Sequence, residues 1–426
     1  MRKMSTKIKV NFRSIITYIL FAICLLGCNT VYSTSATTDY RFPELTAILL
    51  LLLVVMNIKR LSVKVIKKWS LVFIPYYLWN LIIIFCSVSS DKVISYVVKF
   101  LVFVPFLALI ILNDAKTKKK NIWKIALKFE NVVYVYAIIT LIMWTLVCIL
   151  KIFPATGEIV ADWGGEKKYP LYLGVLTTRQ TQEFMGIVWT RNQGFFAEGP
   201  MYNLVLVIAV CIEAFIAPLT PKTGKYIWNG MDLRKIAIFV ITDISTFTIT
   251  GMILLVAIAA FKYCLMPSKS VLRGVIKWTG AIAVLIISMT IANNLFLIKA
   301  DTGSWEVRFD DFLAGYKAWR DSIWFGNGYD TMESITRHMS SKRFYNMGYS
   351  SGLFSILAQG GIALLANYII GFLGYIRYSI KIHRYELVSM LIIIIMILIT
   401  SIFHYTFIMM IFLAYGYALL ANRSIK

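Results

Sequence analysis

Acidic residues are scarce in this chain, 21 against 44 Lys and Arg in 426 residues, and histidine is scarcer still at three. The six cysteines, Cys24, Cys28, Cys86, Cys148, Cys211 and Cys264, fall in or beside apolar runs without metal-ligand spacing, so they read as small buried residues. No Gly-rich nucleotide loop, low-complexity tract or internal repeat occurs, which sets ATP-driven transport aside. Charged residues make up only 15% of the chain, whereas 59% is hydrophobic and 15% aromatic, with a mean hydropathy of +0.73. Those values lie far outside the soluble range and specify an integral membrane protein.

Twelve apolar runs predict an all-α membrane protein, one polytopic domain over residues 1–426, with spans near 14–31, 45–57, 70–87, 94–112, 132–152, 201–217, 234–248, 250–266, 274–293, 352–376, 386–401 and 404–421. Lys and Arg crowd every second connection. Lys59, Arg60, Lys64, Lys67 and Lys68 share one, and Lys116, Lys118, Lys119, Lys120, Lys124 and Lys128 the next. By the positive-inside rule these face the cytoplasm, and so do both termini. The net charge of +23 then reports orientation and not a nucleic-acid partner, since no single basic module gathers it. Leu25-Leu26-Gly27-Cys28 faintly resembles a lipoprotein processing site, but the run from Ile15 to Cys28 serves equally well as most of a first span.

The opposite connections are short or acid-balanced, apart from two long ones at 153–200 and 294–350. Rich in Trp, these predict a partly folded extracytoplasmic layer suited to a glycan or lipid headgroup. The first ends in Arg191-Asn192-Gln193-Gly194-Phe195-Phe196-Ala197-Glu198-Gly199-Pro200, where Gly194, Gly199 and Pro200 set the backbone path and Pro200 opens the next helix. Arg191 either snorkels to lipid phosphate or grips an anionic substrate. Glu198 either caps that helix or acts as a base. In the second loop Arg308 precedes Asp310 and Asp311, which pair with it, face solvent or stand behind Glu198 as a base. Arg337, His338, Lys342 and Arg343 either anchor lipid headgroups or hold a second anionic group. Trp319 offers a sugar-stacking face and Tyr345 and Asn346 offer hydrogen bonds, in competition with ordinary interfacial residence. His404 in its apolar hairpin reads as structural, and Ser245, Thr246, Thr248 and Thr250 as partners for freed backbone groups.

The Arg191–Pro200 segment resembles a signature of bacterial O-antigen and capsule polymerases of the Wzy type, which share a fold with O-antigen ligases. That family shows Arg, then Gly, a bulky residue and Glu-Pro near the start of a span; here the order is Glu198-Gly199-Pro200, with one inserted glycine. Ser245–Gly251 is similar to the family's Ser/Thr-rich break between close spans. Arg308, Trp319 and Trp324-Phe325-Gly326-Asn327-Gly328-Tyr329 resemble its stretch ending in Gly-x-Gly. Tyr345–Ser351, with Gln359-Gly360-Gly361, resembles the return into the membrane. The resemblance covers residues 185–370 by motif and the whole chain by topology, and implies a GT-C-like architecture.

It implies a membrane glycosyltransferase that joins undecaprenyl-diphosphate-linked oligosaccharides at the outer face of a bacterial cytoplasmic membrane. Arg191, Arg308 and Glu198 would be catalytic, and Gly194, Pro200, Trp319, Arg337, Arg343, Tyr345 and Asn346 substrate-binding. No cofactor or metal is implied; membrane lipids, a chain-length regulator and a flippase are the implied partners. Ligases usually carry a His-Asn pair where Ser350-Ser351 stand, which favours a polymerase over a ligase. A flippase, the remaining rival, is expected to line a cavity with charges inside its spans.

Overall fold

Away from water every backbone N–H and C=O needs a partner within reach, and an apolar run meets that demand by winding into a helix. The computed structural model describes residues 11–117, 122–184, 186–220, 224, 226–266, 270–272, 274–280, 282–283, 286, 304–343 and 348–422. Its helices are α1 (Phe12–Leu26), α2 (Phe42–Arg60), α3 (Val63–Ser87), α4 (Val93–Ala115), α5 (Lys124–Ile149), α6 (Gly199–Leu219), α7 (Leu233–Ser245), α8 (Ile249–Leu265), α9 (Ser304–Asp321), α10 (Glu333–Thr336), α11 (Gly352–Ile382), α12 (Glu386–Thr400) and α13 (Phe407–Ala421). Among the described residues, α2 to α6 and α11 are the six long and apolar enough to cross a membrane. Helices α1, α8, α12 and α13 are apolar but shorter, at 15, 17, 15 and 15 residues. Half of the expected span at 274–293 lies outside the described residues, and Tyr345 and Asn346 lie wholly outside them.

Burial sorts the helices into a centre and a rim. Helix α6 is 89% buried over its most apolar window, whereas α2 and α3 are 28% buried. The uncovered face of α3 carries Leu71, Ile74, Leu78 and Phe85, an apolar surface suited to lipid and not to water. The protein is therefore membrane-embedded. Tyrosines join the central helices: Tyr375 donates to the Phe412 carbonyl at 2.9 Å and Tyr417 to that of Asn367 at 3.0 Å.

The basic connections gather at one end of the bundle. There Arg13 pairs with Asp114 at 2.6 Å, Trp123 stacks on Tyr415, and Lys235 meets Glu130 at 2.6 Å and Glu213 at 3.8 Å. The described parts of the two long loops meet the other ends of α1 and α3, Val31 N donating to the Phe195 carbonyl at 2.9 Å and Tyr329 N to that of Ser87 at 2.7 Å. The first contains strands that the reading of an all-α chain does not include. Strands β1 (Gly157–Asp162), β2 (Glu166–Tyr172) and β3 (Leu176–Thr177) form an antiparallel sheet, and β4 (Thr181–Phe184) pairs with β5 (Ile187–Thr190). This sheet is sealed to the α1–α2 connection, Ala36 N donating to the Val160 carbonyl at 2.9 Å and Asp162 N to that of Thr34 at 2.7 Å.

Candidate functional site

Arg191 is drawn into the protein by its neighbours on both sides. The β4–β5 hairpin returns the chain beside Gln180 and Gln182. Asn192 is then fixed to the α7–α8 turn, its N–H donating to the Ser245 carbonyl and its Nδ2 to Ser245 Oγ, both at 2.9 Å. As a result Arg191 Nη2 donates to Gln182 Oε1 at 2.9 Å and to the Phe247 carbonyl at 3.3 Å. Trp189 stacks on the Phe247 ring with centroids 5.7 Å apart. Arg191 Nε is buried without a hydrogen-bond partner, a costly state for a charged donor and one that an anionic ligand would relieve.

Glu198 stands at the N-cap of α6 with extended backbone, yet its side chain makes no capping bond. Gln180 replaces it, Oε1 accepting from Gly199 N at 3.0 Å. Gln193 in turn fixes Gln180, its Oε1 accepting from the N–H groups of Arg179 and Gln180 at 3.2 and 3.1 Å. The Glu198 carboxylate is thus left outside the helix terminus. Burial raises its pKa above the usual carboxylate range, against the Trp163 hydrogen bond and the charges of Lys167, Arg191 and Arg179. Gly194 has φ +54°, and a Cβ there would collide with the Tyr136 hydroxyl, which accepts from Phe195 N at 2.7 Å. Gly194 therefore shapes the backbone, and Pro200 opens α6 as expected.

The Gly-x-Gly and Gln-Gly-Gly stretches meet. Helix α11 is interrupted at Gly361, at φ 62° and ψ −163°, and the segment after α9 docks into the break. Ile362 N and Ala363 N donate to the carbonyls of Ile323 and Trp324, both at 2.9 Å. Asn327 N and Gly328 N donate to those of Ala358 and Gln359 at 2.8 and 3.1 Å. A Cβ at Gly326 or Gly361 would collide with the facing backbone, so these glycines form a junction between loop and helix and are not a ligand cradle. Trp319 lies half-buried beside it, its indole donating to the Ile323 carbonyl at 3.2 Å.

The second loop separates its cations. Arg343, expected to bind substrate, is 3% exposed, and its Nη1 donates to Asp311 Oδ1 at 2.6 Å and to Asp310 Oδ2 at 3.0 Å. It is a structural tie, because a buried guanidinium requires carboxylates at this range. Ser350 Oγ completes the group by donating to Asp311 Oδ2 at 2.5 Å. Arg337 is exposed and pairs with Glu333 at 2.7 Å, and His338 Nε2 lies 2.6 Å from Asp321 Oδ2. Arg308 lines a cavity of about 200 Å³ with Phe309, Phe312, Ser350 and Thr400. Burial lowers its pKa, and the nearby Asp311 charge raises it.

Different elements hold Arg191 and Arg308, and residues 401–406 between α12 and α13 link them. Gly352 N, after Ser350, donates to the Ser401 carbonyl at 3.1 Å, and Ser401 Oγ approaches Met201 Sδ at 3.9 Å, just beyond Glu198. Asn29 Nδ2 bridges the Ile402 carbonyl at 3.1 Å and Met201 Sδ at 3.5 Å. The chain matches no known protein family, no curated protein and no solved structure. Geometry alone therefore adds Gln180, Gln182, Gln193 and Trp163 to the site. The sequence signal for the three glutamines was the density of long amides beside Arg179 and Arg191 in one polar loop. Asp243, bonded to Asn203 at 2.5 Å between α6 and α7, was legible as a lone carboxylate in an apolar helix.

Proposed function

We propose that the protein is a membrane glycosyltransferase of the polysaccharide-polymerase kind, acting at the outer face of the bacterial cytoplasmic membrane. It transfers a growing glycan from undecaprenyl diphosphate to a hydroxyl of a second lipid-linked repeat unit, making a capsule, exopolysaccharide or O-antigen. The observation that carries this reading is the orphaned Nε of Arg191 beside Glu198, whose carboxylate Gln180 has displaced from the helix cap. In the reaction the acceptor oxygen bonds to the anomeric carbon as the bond from that carbon to the diphosphate oxygen breaks. The electron pair leaves with the diphosphate, and the hydroxyl proton passes to Glu198. Arg191 and Arg308 meet the charge that develops on the leaving group in a partly dry site. Since the sugar arrives activated, orientation supplies much of the remaining rate.

One observation favours a flippase instead: Lys99 is a cation inside α4 that lines a cavity. Deleting the gene and running the surface glycan on a gel separates the readings. A single repeat unit in place of a ladder is expected. Unattached long chains mean a ligase, and internally accumulated lipid-linked units mean a flippase; either overturns the proposal.

A further inference from the structure

The connection between α1 and α2 lines an open cavity of about 480 Å³, more than twice the volume at Arg308. That size suits a saccharide-sized ligand. Its wall carries the hydroxyls of Ser33, Ser35, Thr37 and Thr38 together with Asp39 and Arg41. Tyr40 is stacked on Phe42 at 5.7 Å and meets Tyr32 edge-on at 5.6 Å, which leaves flat aromatic surface beside the hydroxyls. Lys99 reaches the same cavity from the π-helical segment Val97–Phe103. It is the one Lys or Arg in α4, and a cation within an apolar span is retained at a cost of a few kcal/mol or more, so it marks a functional position by default. Its ammonium lies 5.9 Å from the centroid of the Tyr405 ring and has no carboxylate within 4 Å among the described residues, although the Asp330 charge acts on it from farther away.

A second observation points the same way. His404 is 6% exposed, both its ring nitrogens lack partners, and its ring lies 4.0 Å from that of Tyr405, whose hydroxyl also lacks one. Buried polar groups are normally bonded, so orphans packed against the cavity-lining Lys99 call for a polar partner. His404 and Tyr405 lie between two cavity-lining positions in the chain: Thr400 lines the Arg308 cavity, and Phe407 lines the larger one. Beside the larger cavity, α2 presents Leu45, Ile48 and Leu52 outward, a surface along which an isoprenoid tail can lie.

We propose that this cavity is a second binding site, for the diphosphate-bearing sugar head of an isoprenoid lipid. Lys99 and Arg41 take the phosphates, while the 33–38 hydroxyls and Tyr40 take the sugar. The choice of an isoprenoid glycan rests on the transferase reading above, under which two lipid-linked substrates occupy the cavities that Thr400 and Phe407 line.

The test uses full-length protein in lipid nanodiscs, titrated with farnesyl diphosphate by calorimetry. The Arg191→Ala/Arg308→Ala double variant serves as background, so that only the second site reports. Binding is expected to persist in that background and to weaken at least about tenfold on adding Lys99→Met, the loss of one charged hydrogen bond. Lys99→Arg should bind within a few-fold of the background. Because Lys99 lies in a span, Thr37→Trp provides a second variant on the exposed loop, where the added ring fills the cavity; it should weaken binding similarly without moving the unfolding temperature. Undiminished binding in both Lys99→Met and Thr37→Trp overturns the site. Inorganic diphosphate competing as strongly as farnesyl diphosphate overturns its lipid specificity. If a normal glycan ladder survives Arg191→Ala while Lys99→Met still loses the probe, the transferase reading fails and this site stands.

Discussion

Replacing Arg191 with Lys isolates the geometry of its guanidinium from its charge. Lys keeps the positive charge and can replace one of the contacts from Nη2 to Gln182 Oε1 and the Phe247 carbonyl. It has no N–H where Nε stands, and Nε is the donor that the protein leaves unpartnered. One hydrogen bond to a charged group is worth about 1.5–3 kcal/mol, so Arg191→Lys is expected to lower the rate about 10- to 150-fold. Arg191→Ala loses the charge as well and should abolish long polymer. The assay is polymer formation from purified lipid-linked repeat units by protein in nanodiscs, with membrane abundance and unfolding temperature as controls. The fold should survive, because Gln180 rather than Arg191 caps α6. Full activity in Arg191→Lys would show that charge alone suffices and that the orphaned Nε is idle.

Glu198→Gln should remove the acid limb of the pH–rate profile along with most of the rate. In the parent protein burial raises the Glu198 pKa, so the active carboxylate is lost, as pH falls, above the ordinary value of about 4.3; a limb at that ordinary value would refute the assignment. Arg343→Ala strands two carboxylates in a buried site and should cost about 3–5 kcal/mol of stability. Arg337→Ala breaks only an exposed i,i+4 pair and should cost under about 0.5 kcal/mol; the reverse ranking of thermal midpoints would return Arg343 to a ligand-binding role. Gly361→Ala forces a side chain into a glycine-only conformation, about 1–3 kcal/mol before the collision with Trp324 backbone is counted, and should lower the unfolding midpoint clearly.

The helical frame was legible because apolar runs of bilayer length have one way to satisfy their backbone. Span ends were less so: the run to Cys28 continues past the helix end at Leu26, because apolarity persists where Thr30 and Val31 turn to meet Phe196 and Phe195. The strands at 157–190 escaped notice because they are short and pair within a polar loop, where hydropathy carries little signal. Arg191 and Glu198 were legible as oddly placed charges, but the exchange of caps between Glu198 and Gln180 was not, since it depends on a hairpin that brings residue 180 beside residue 199. The ion pairs of Arg343 were not legible because its carboxylates lie about thirty positions away, at a distance only the fold closes. Lys99 was missed although one lysine in a long apolar run is itself a strong signal.

Helices α12 and α13 show why polar chemistry collects at this end of the bundle. Each has 15 residues, about 22 Å at 1.5 Å per residue, against a hydrocarbon core near 30 Å. A hairpin that short places its connecting residues at apolar depth, where irregular backbone is tolerated only when buried in protein or beside a cavity. Residues 401–406 meet that condition: Ser401, Phe403, His404, Tyr405 and Thr406 are all buried, and the flanking Thr400 and Phe407 each line a cavity. The shortened hairpin thus supplies a dry connection carrying an unpartnered imidazole, with Thr400 before it sharing a cavity with Arg308 and Phe407 after it sharing one with Lys99. In such surroundings a guanidinium or ammonium attracts phosphate far more strongly than at a wet surface. If Arg308 and Lys99 hold phosphates as proposed, lengthening α12 by a turn should lift this connection towards the lipid headgroups and weaken farnesyl diphosphate binding at both, read by calorimetry, although neither cation is touched; unchanged binding would refute the role of the short hairpin.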